Sequence, residues 1–232
     1  MWETFAGSIA LVLAGDVVLL GIVQLSLQVS LTAVFFAALL AFPVGAALAL
    51  YRFPGRAGII VLLNALMGLP PVVAGLVVYL LLSRAGPLGQ WGLLFTPTAM
   101  VIVQTLLIFP IVAALTRQVV SDLWEEYREQ LTSMGATRLR AIPTLLWDAR
   151  FSLVTALLAG FGRATAEVGA VLIVGGNIAG VTRVMTTAIA LETNKGNLSL
   201  ALALGTILMT LTLLVNGLAY GLGEFSRRRY GG

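Results

Sequence analysis

Residues 25–50 run without a single charged side chain, and so do residues 57–82. A helix needs about 20 consecutive apolar residues to cross a bilayer, so each run is long enough to span one. Membrane strands alternate apolar and polar residues over segments of about ten, and these runs do not alternate. Composition agrees. The chain is 59% hydrophobic and only 10% charged, with a mean hydropathy of +1.00. A soluble domain carries about 25% charged residues, so this chain lacks the polar surface to stay in water. The expectation is an all-α membrane protein, a polytopic helical bundle of about five transmembrane helices forming one domain over residues 1–232.

Residues 1–24 are apolar but interrupted by Gly7, Gly15 and Asp16, and lack the basic start of a secretory signal. They read as an interfacial or partly inserted helix. Residues 25–50 form the first span, with Pro43 expected to kink it. Residues 57–82 form the second, broken at Gly68-Leu69-Pro70-Pro71, a break tolerated at membrane depth only where neighbouring protein satisfies the freed carbonyls. Residues 97–120, 142–174 and 199–225 complete the set, and the middle of the polar segment 175–198 reads as a short helix. The arginines are distributed unevenly. With residues 121–150 inside, Arg52, Arg56, Arg117, Arg128, Arg138, Arg140, Arg150 and Arg227–Arg229 fall in the cytoplasm. Arg84, Arg183 and Lys195 fall outside. That bias predicts the N-terminus outside and the C-terminus in the cytoplasm.

Residues 121–150 are the one long polar interruption. Asp122 with Glu125 three residues later is a helix-start signal. Leu123, Trp124, Tyr127, Leu131 and Met134 recur at three- and four-residue spacing and so share a face. Gly135 is expected to end that helix in the left-handed conformation that glycine adopts without steric penalty. A basic second segment with Arg138 and Arg140 follows.

The residue inventory excludes much chemistry. There are no cysteines and no histidines, and Lys195 is the only lysine. Disulfides, thiol nucleophiles, histidine bases and zinc or haem ligation are therefore absent. A net charge of +4, placed in particular loops, is a topology signal and not a nucleic-acid footprint. Arg163 and Glu167 stand four residues apart inside the fourth span, on one helix face. Ionisable groups at membrane depth face a bundle interior or a water-filled path. They either line or gate a passage or form a self-neutralising structural pair. Gly160, Gly162, Gly169, Gly175 and Gly176 surround them and suit close helix packing; Gly175-Gly176-Asn177 also suits a turn whose N–H groups attract an anion.

The segment Glu129-Gln130-Leu131, with Gly135 following at the expected interval, resembles the Glu-Ala-Ala loop of ABC-importer permeases. Gln130 and Leu131 depart from the two alanines, and Trp147-Asp148 stand where the family often has Leu-Pro. Further blocks resemble molybdate and tungstate permeases, the tungstate branch most closely: residues 161–170, 176–180, 63–73, 83–89 and 182–193. The resemblance implies the type I ABC-importer permease fold, with residues 121–150 as a cytoplasmic coupling loop. Glu129, Gln130, Leu131, Gly135 and Ala136 would couple to the ATPase, and Arg163, Glu167, Gly175, Gly176 and Asn177 would line or gate the pathway. It also implies a homodimer, two ATP-binding subunits and an extracytoplasmic oxyanion-binding protein, in the inner membrane of a prokaryote. The chain has no Gly-x-x-x-x-Gly-Lys-Ser/Thr loop, so ATP and magnesium belong to the partner subunit and this chain holds no cofactor. The implied function is import of a tetrahedral oxyanion, tungstate first. A molybdate, sulfate or other ABC permease is the alternative, and a membrane scaffold or passive channel is the rival from another class. An intramembrane enzyme ranks last, because one carboxylate without a nucleophile makes no catalytic pair.

Overall fold

A computed structural model describes residues 16–230, without the side chains of residue 219 and of residues 222–230. Nine α-helices are described: α1 (Val17–Leu50), α2 (Arg56–Met67), α3 (Pro71–Leu82), α4 (Pro97–Ser133), α5 (Arg138–Asp148), α6 (Arg150–Thr165), α7 (Gly169–Gly175), α8 (Met185–Asn194) and α9 (Leu198–Tyr230). Three of them, α1, α4 and the 198–218 part of α9, are long and apolar enough to cross a membrane. Two bent pairs raise the number to five if each pair counts as one span: α2 with α3, bent by 104°, and α5 with α6, bent by 72°.

The first span begins earlier than the hydropathy suggested. Residues 17–24 are continuous with α1, and Asp16 is the N-cap, its carboxylate accepting from Val18 N at 2.9 Å and Leu19 N at 3.0 Å. Those contacts satisfy orphan donors of the first turn, so the aspartate that looked like an interruption is a start signal. The remainder of the expected interfacial helix lies outside the described residues.

α1 and α4 form the spine. On α1, Ala33, Ala37, Ala41 and Gly45 recur every four residues, all buried, and the first three share a core cluster with Ile108, Val112 and Ala113 of α4. In lipid there is no hydrophobic drive between helices, so small residues that let backbones approach are what hold such a pair. Gly45 shows the limit of that approach. A Cβ placed there would lie 2.7 Å from Ala113 O and 2.7 Å from Thr116 Cβ. The contacts rise together along both helices, with Thr105 Oγ1 donating to Ala33 O at 3.3 Å and Leu50 clustering with Val120, so α1 and α4 run parallel. α6 runs antiparallel to α4: Gln104 Nε2 donates to Ala164 O at 3.1 Å, and Gly160 lies against Ile108 and Val112.

The proline pair splits the second span as sequence chemistry requires. Pro70 is the N-cap of α3 and Pro71 its first residue, where a missing N–H costs nothing. Gly75 then lets α3 approach α7; a Cβ on Gly75 would lie only 2.8 Å from Ala170 Cα. At the start of the bundle, Leu19 and Ile22 of α1 pack with Met185 and Ala188 of α8 and Ala203 and Leu204 of α9.

Candidate functional site: a loop helix pair and a buried polar node

α4 is 37 residues long, about 55 Å at 1.5 Å per residue. That exceeds the roughly 30 Å hydrocarbon thickness, and its charged C-terminal part, from Arg117 onward, projects beyond the apolar section. The helix start expected at Asp122 does not exist, because no breaker separates Val120 from Ser133 and α4 runs straight through. The end is as expected. Gly135 has φ +77°, its N–H donates to Thr132 O at 3.0 Å, and Ala136 N donates to Leu131 O at 2.9 Å. These bonds satisfy carbonyls of the last turn.

Past the turn, Thr137 caps α5 through Arg140 N. Ala141 and Leu145 bury against Ala46, Leu50 and Val120, with Leu123, Trp124, Tyr127 and Leu131 packed around them. Met134 departs from the face assigned to it; it stands beyond the helix end and is 83% exposed. Of the five residues expected at the coupling site, Glu129, Gln130 and Gly135 are exposed while Leu131 and Ala136 are half-buried. Exposed Met134 and Leu139 flank the turn. Two arginines that sequence reading treated only as topology markers hold this end together. Arg56 Nε donates to Leu48 O at 2.7 Å and Arg138 Nη1 to Leu50 O at 3.0 Å. Both cations sit on the last carbonyls of α1, where the helix dipole favours positive charge.

The expected fourth span is three helices, and this changes the reading of Arg163 and Glu167. Arg163 lies in the last turn of α6, which ends at Thr165, and Glu167 lies in the break before α7. They do not share a helix face. They pair across the break at 3.0 Å, the Arg163 side chain 35% exposed and that of Glu167 5%. Glu167 also caps the next helix, its other oxygen accepting from Ala170 N at 3.1 Å. Its backbone carbonyl accepts from Thr186 Oγ1 at 2.8 Å.

Ser26 joins from α1, accepting from Met185 N at 2.7 Å. Gln104 joins from α4, 4% exposed and seven residues into the helix, about 10 Å from its start. The result is a polar node at the junction of α1, α4, α6, α7 and α8. Ser26, Gln104 and Thr186 were the legible signals for it, as polar residues inside or beside apolar runs.

Gly175, Gly176 and Asn177 terminate α7. Gly176 has φ +71° and Asn177 φ +50°. A Cβ on Gly176 would lie 2.9 Å from the Phe95 ring. Two of the N–H groups that an anion nest would use here are already committed. Gly176 N donates to Leu172 O, and Ile178 N to Thr182 Oγ1, which itself donates to Gly175 O. The start of α8 links this turn to the node, since Asn177 Nδ2 donates to Thr187 O at 3.3 Å.

Residues 41–225 match the family described as the inner membrane component of binding-protein-dependent transport systems. The chain belongs to that family. A probable anion ABC transporter permease protein of Haloferax volcanii is 43% identical over 86% of this chain and 88% of its own. A tungstate uptake system permease protein, TupB, of Peptoclostridium acidaminophilum is 38% identical over 96% of this chain and 97% of its own. The corresponding TupB protein of Campylobacter jejuni is 36% identical over 74% and 72%. The chain is thus a multi-pass inner-membrane permease of the ABC-importer type, a transport subunit and not an enzyme. Membership implies the partner subunits such systems use, an ATPase and a binding protein.

Proposed function

We propose that this permease forms the translocation pathway for a tetrahedral oxyanion, with tungstate as the first substrate. One observation carries the substrate: the likeness to a tungstate uptake permease extends over nearly the full length of both chains. The pathway needs no tight anion pocket, because a strongly bound ion would be released slowly. Arg163, half-exposed beside Glu167, and the Gly175–Asn177 turn line or gate the pathway at the axis of a homodimer.

The α4–α5 turn lies in the cytoplasm and the chain begins outside, the orientation that the arginine bias supports. Two ATP-binding subunits dock on the turn. The exposed apolar pair Met134 and Leu139 gives each a surface to cover, and Glu129 and Gln130 present the polar rim. Closure of the ATP-binding pair pushes the two turns together, and Arg138 passes the movement to α1 through Leu50 O. An extracytoplasmic binding protein delivers the oxyanion at the opposite end.

The test is uptake into proteoliposomes holding the assembled importer, with ATP on the face that carries the ATP-binding subunits and oxyanion-loaded binding protein on the other. ATP-dependent tungstate accumulation is expected. Accumulation of molybdate or sulfate in its place reassigns the substrate, and uptake that needs no ATP makes the chain a passive channel.

A further inference from the structure

The polar node holds a small cavity of about 10 Å³, lined by Ser26, Ser30, Gln104, Thr165, Glu167 and Thr186 along with apolar neighbours. That volume is enough for a single water molecule. Three of the four hydroxyls in the lining, all but that of Ser30, commit their hydrogens elsewhere. Ser26 Oγ donates to Ile22 O at 2.8 Å, Thr165 Oγ1 to Phe161 O at 3.1 Å and Thr186 Oγ1 to Glu167 O. Gln104 Nε2 is taken by Ala164 O, which fixes the orientation of the amide. Gln104 Oε1 is then left buried with no protein partner. Leaving an acceptor without a partner at membrane depth forfeits its solvation, and buried polar atoms of this kind are normally satisfied by ordered water.

We infer that this cavity is a binding site for one structural water, which donates to Gln104 Oε1 and bridges α4 to the α6–α7 break. The chemistry of the lining selects the occupant. The buried Glu167 carboxylate and the Gln104 amide oxygen in the lining repel an anion, so the site is separate from any oxyanion path. A monovalent cation finds the Glu167 charge already matched by Arg163 at 3.0 Å, and would leave an uncompensated positive charge in a poorly solvated place. Water is neutral, donates twice and fits the volume. Its role is mechanical. It completes the hydrogen bonding of Gln104 on α4 beside the place where the chain changes direction between α6 and α7.

The experiment is a cryo-EM map of the complete importer in lipid nanodiscs, at a resolution that shows ordered waters. A single peak within about 2.7–3.2 Å of Gln104 Oε1, lost in Gln104→Met, is the expected result. A second measurement separates water from a cation: the melting temperature of the wild-type importer in sodium chloride against choline chloride at equal ionic strength. Equal melting temperatures are expected. A cavity without density in the wild-type map, or a melting temperature that rises with sodium, overturns the proposal. If Gln104→Met does not assemble, the wild-type map and the salt comparison still decide.

Discussion

The guanidinium of Arg138 donates to the carbonyl of Leu50, the last residue of α1, at 3.0 Å. The two residues are 88 positions apart, and the bond fastens the loop helix pair to the end of the bundle spine. A charge-assisted bond of this kind contributes about 1.5–3 kcal/mol when buried; Arg138 is exposed, so the lower end applies. Arg138→Ala should lower the melting temperature of the assembled importer by a few degrees. It should reduce the ATPase response to loaded binding protein far more than basal ATPase. An unchanged ratio of stimulated to basal activity would show that the bond carries no coupling.

Gly45 sets the separation of α1 and α4. Gly45→Leu places side-chain atoms where Ala113 O and Thr116 already lie within 3.0 Å of a Cβ, and overpacking of this type costs about 1–3 kcal/mol. The expected outcome is loss of the monodisperse peak in detergent size-exclusion chromatography. Gly58→Ala, with nothing within 4 Å of the added Cβ, serves as the control and should behave as wild type.

Gly135 presents the opposite case. Its Cβ position is open, but its φ of +77° is left-handed, so a substitution is penalised by backbone strain of roughly 1–2 kcal/mol and not by a clash. Gly135→Val should weaken oxyanion-stimulated ATPase activity, and Gly135→Asn, which tolerates that conformation, should retain most of it. Equal activity in both variants would remove the turn from the coupling route.

The Arg163–Glu167 pair is asymmetric. Glu167 is 5% exposed and also caps α7, whereas the Arg163 side chain keeps 35% of its surface. Removing Arg163 strands the buried carboxylate; removing the charge of Glu167 leaves an arginine that still reaches solvent. Arg163→Met should therefore destabilise more than Glu167→Gln, on the order of 2 kcal/mol, below the 3–5 kcal/mol of a fully buried pair. The double variant should recover part of the loss. Thermal unfolding of the four proteins measures all three statements.

Much of this architecture was legible because lipid permits few solutions. The uncharged runs announced α1, α4 and α9, and Gly68 with the proline pair announced the α2–α3 break. Gly135 announced the loop turn through the one backbone conformation it favours. The bend between α5 and α6 was not legible: the junction at Asp148 and Ala149 holds no glycine or proline, and the 72° change of direction follows from Ala141 and Leu145 packing on α1 and α4. Asp122 and Glu125 misled because an acidic pair only permits a helix start, and α4 already supplied an unbroken helix through them. The spacing of Arg163 and Glu167 led to the right contact by the wrong geometry, since their ion pair closes over a helix end. Gln104 was visible as a polar residue in an apolar run, but its orphaned oxygen and the cavity beside it exist only once five helices meet.

Glu192, on α8, offers a pH handle outside the spanning helices. Its carboxylate is held below the usual value of 4.5, first by the hydrogen bond from Lys195 at 3.1 Å and further by Asn197, against an opposing effect of burial. A carboxylate with a depressed folded pKa contributes stability that is fully present above its unfolded value and is lost as pH falls through the folded one. Melting temperature should therefore drop below about pH 4.5 more steeply in wild type than in Glu192→Gln. Parallel profiles would mean that the Glu192 cluster does not set acid stability.

Coupling of an oxyanion-loaded binding protein to a separate ATPase, through this chain, is the central claim. The most direct test is ATPase activity of the importer in proteoliposomes, with the binding protein empty or loaded with tungstate, molybdate or sulfate at matched saturation. Stimulation by the loaded protein only, greatest with tungstate, is the predicted result. Activity that ignores the loaded binding protein for all three anions would contradict it.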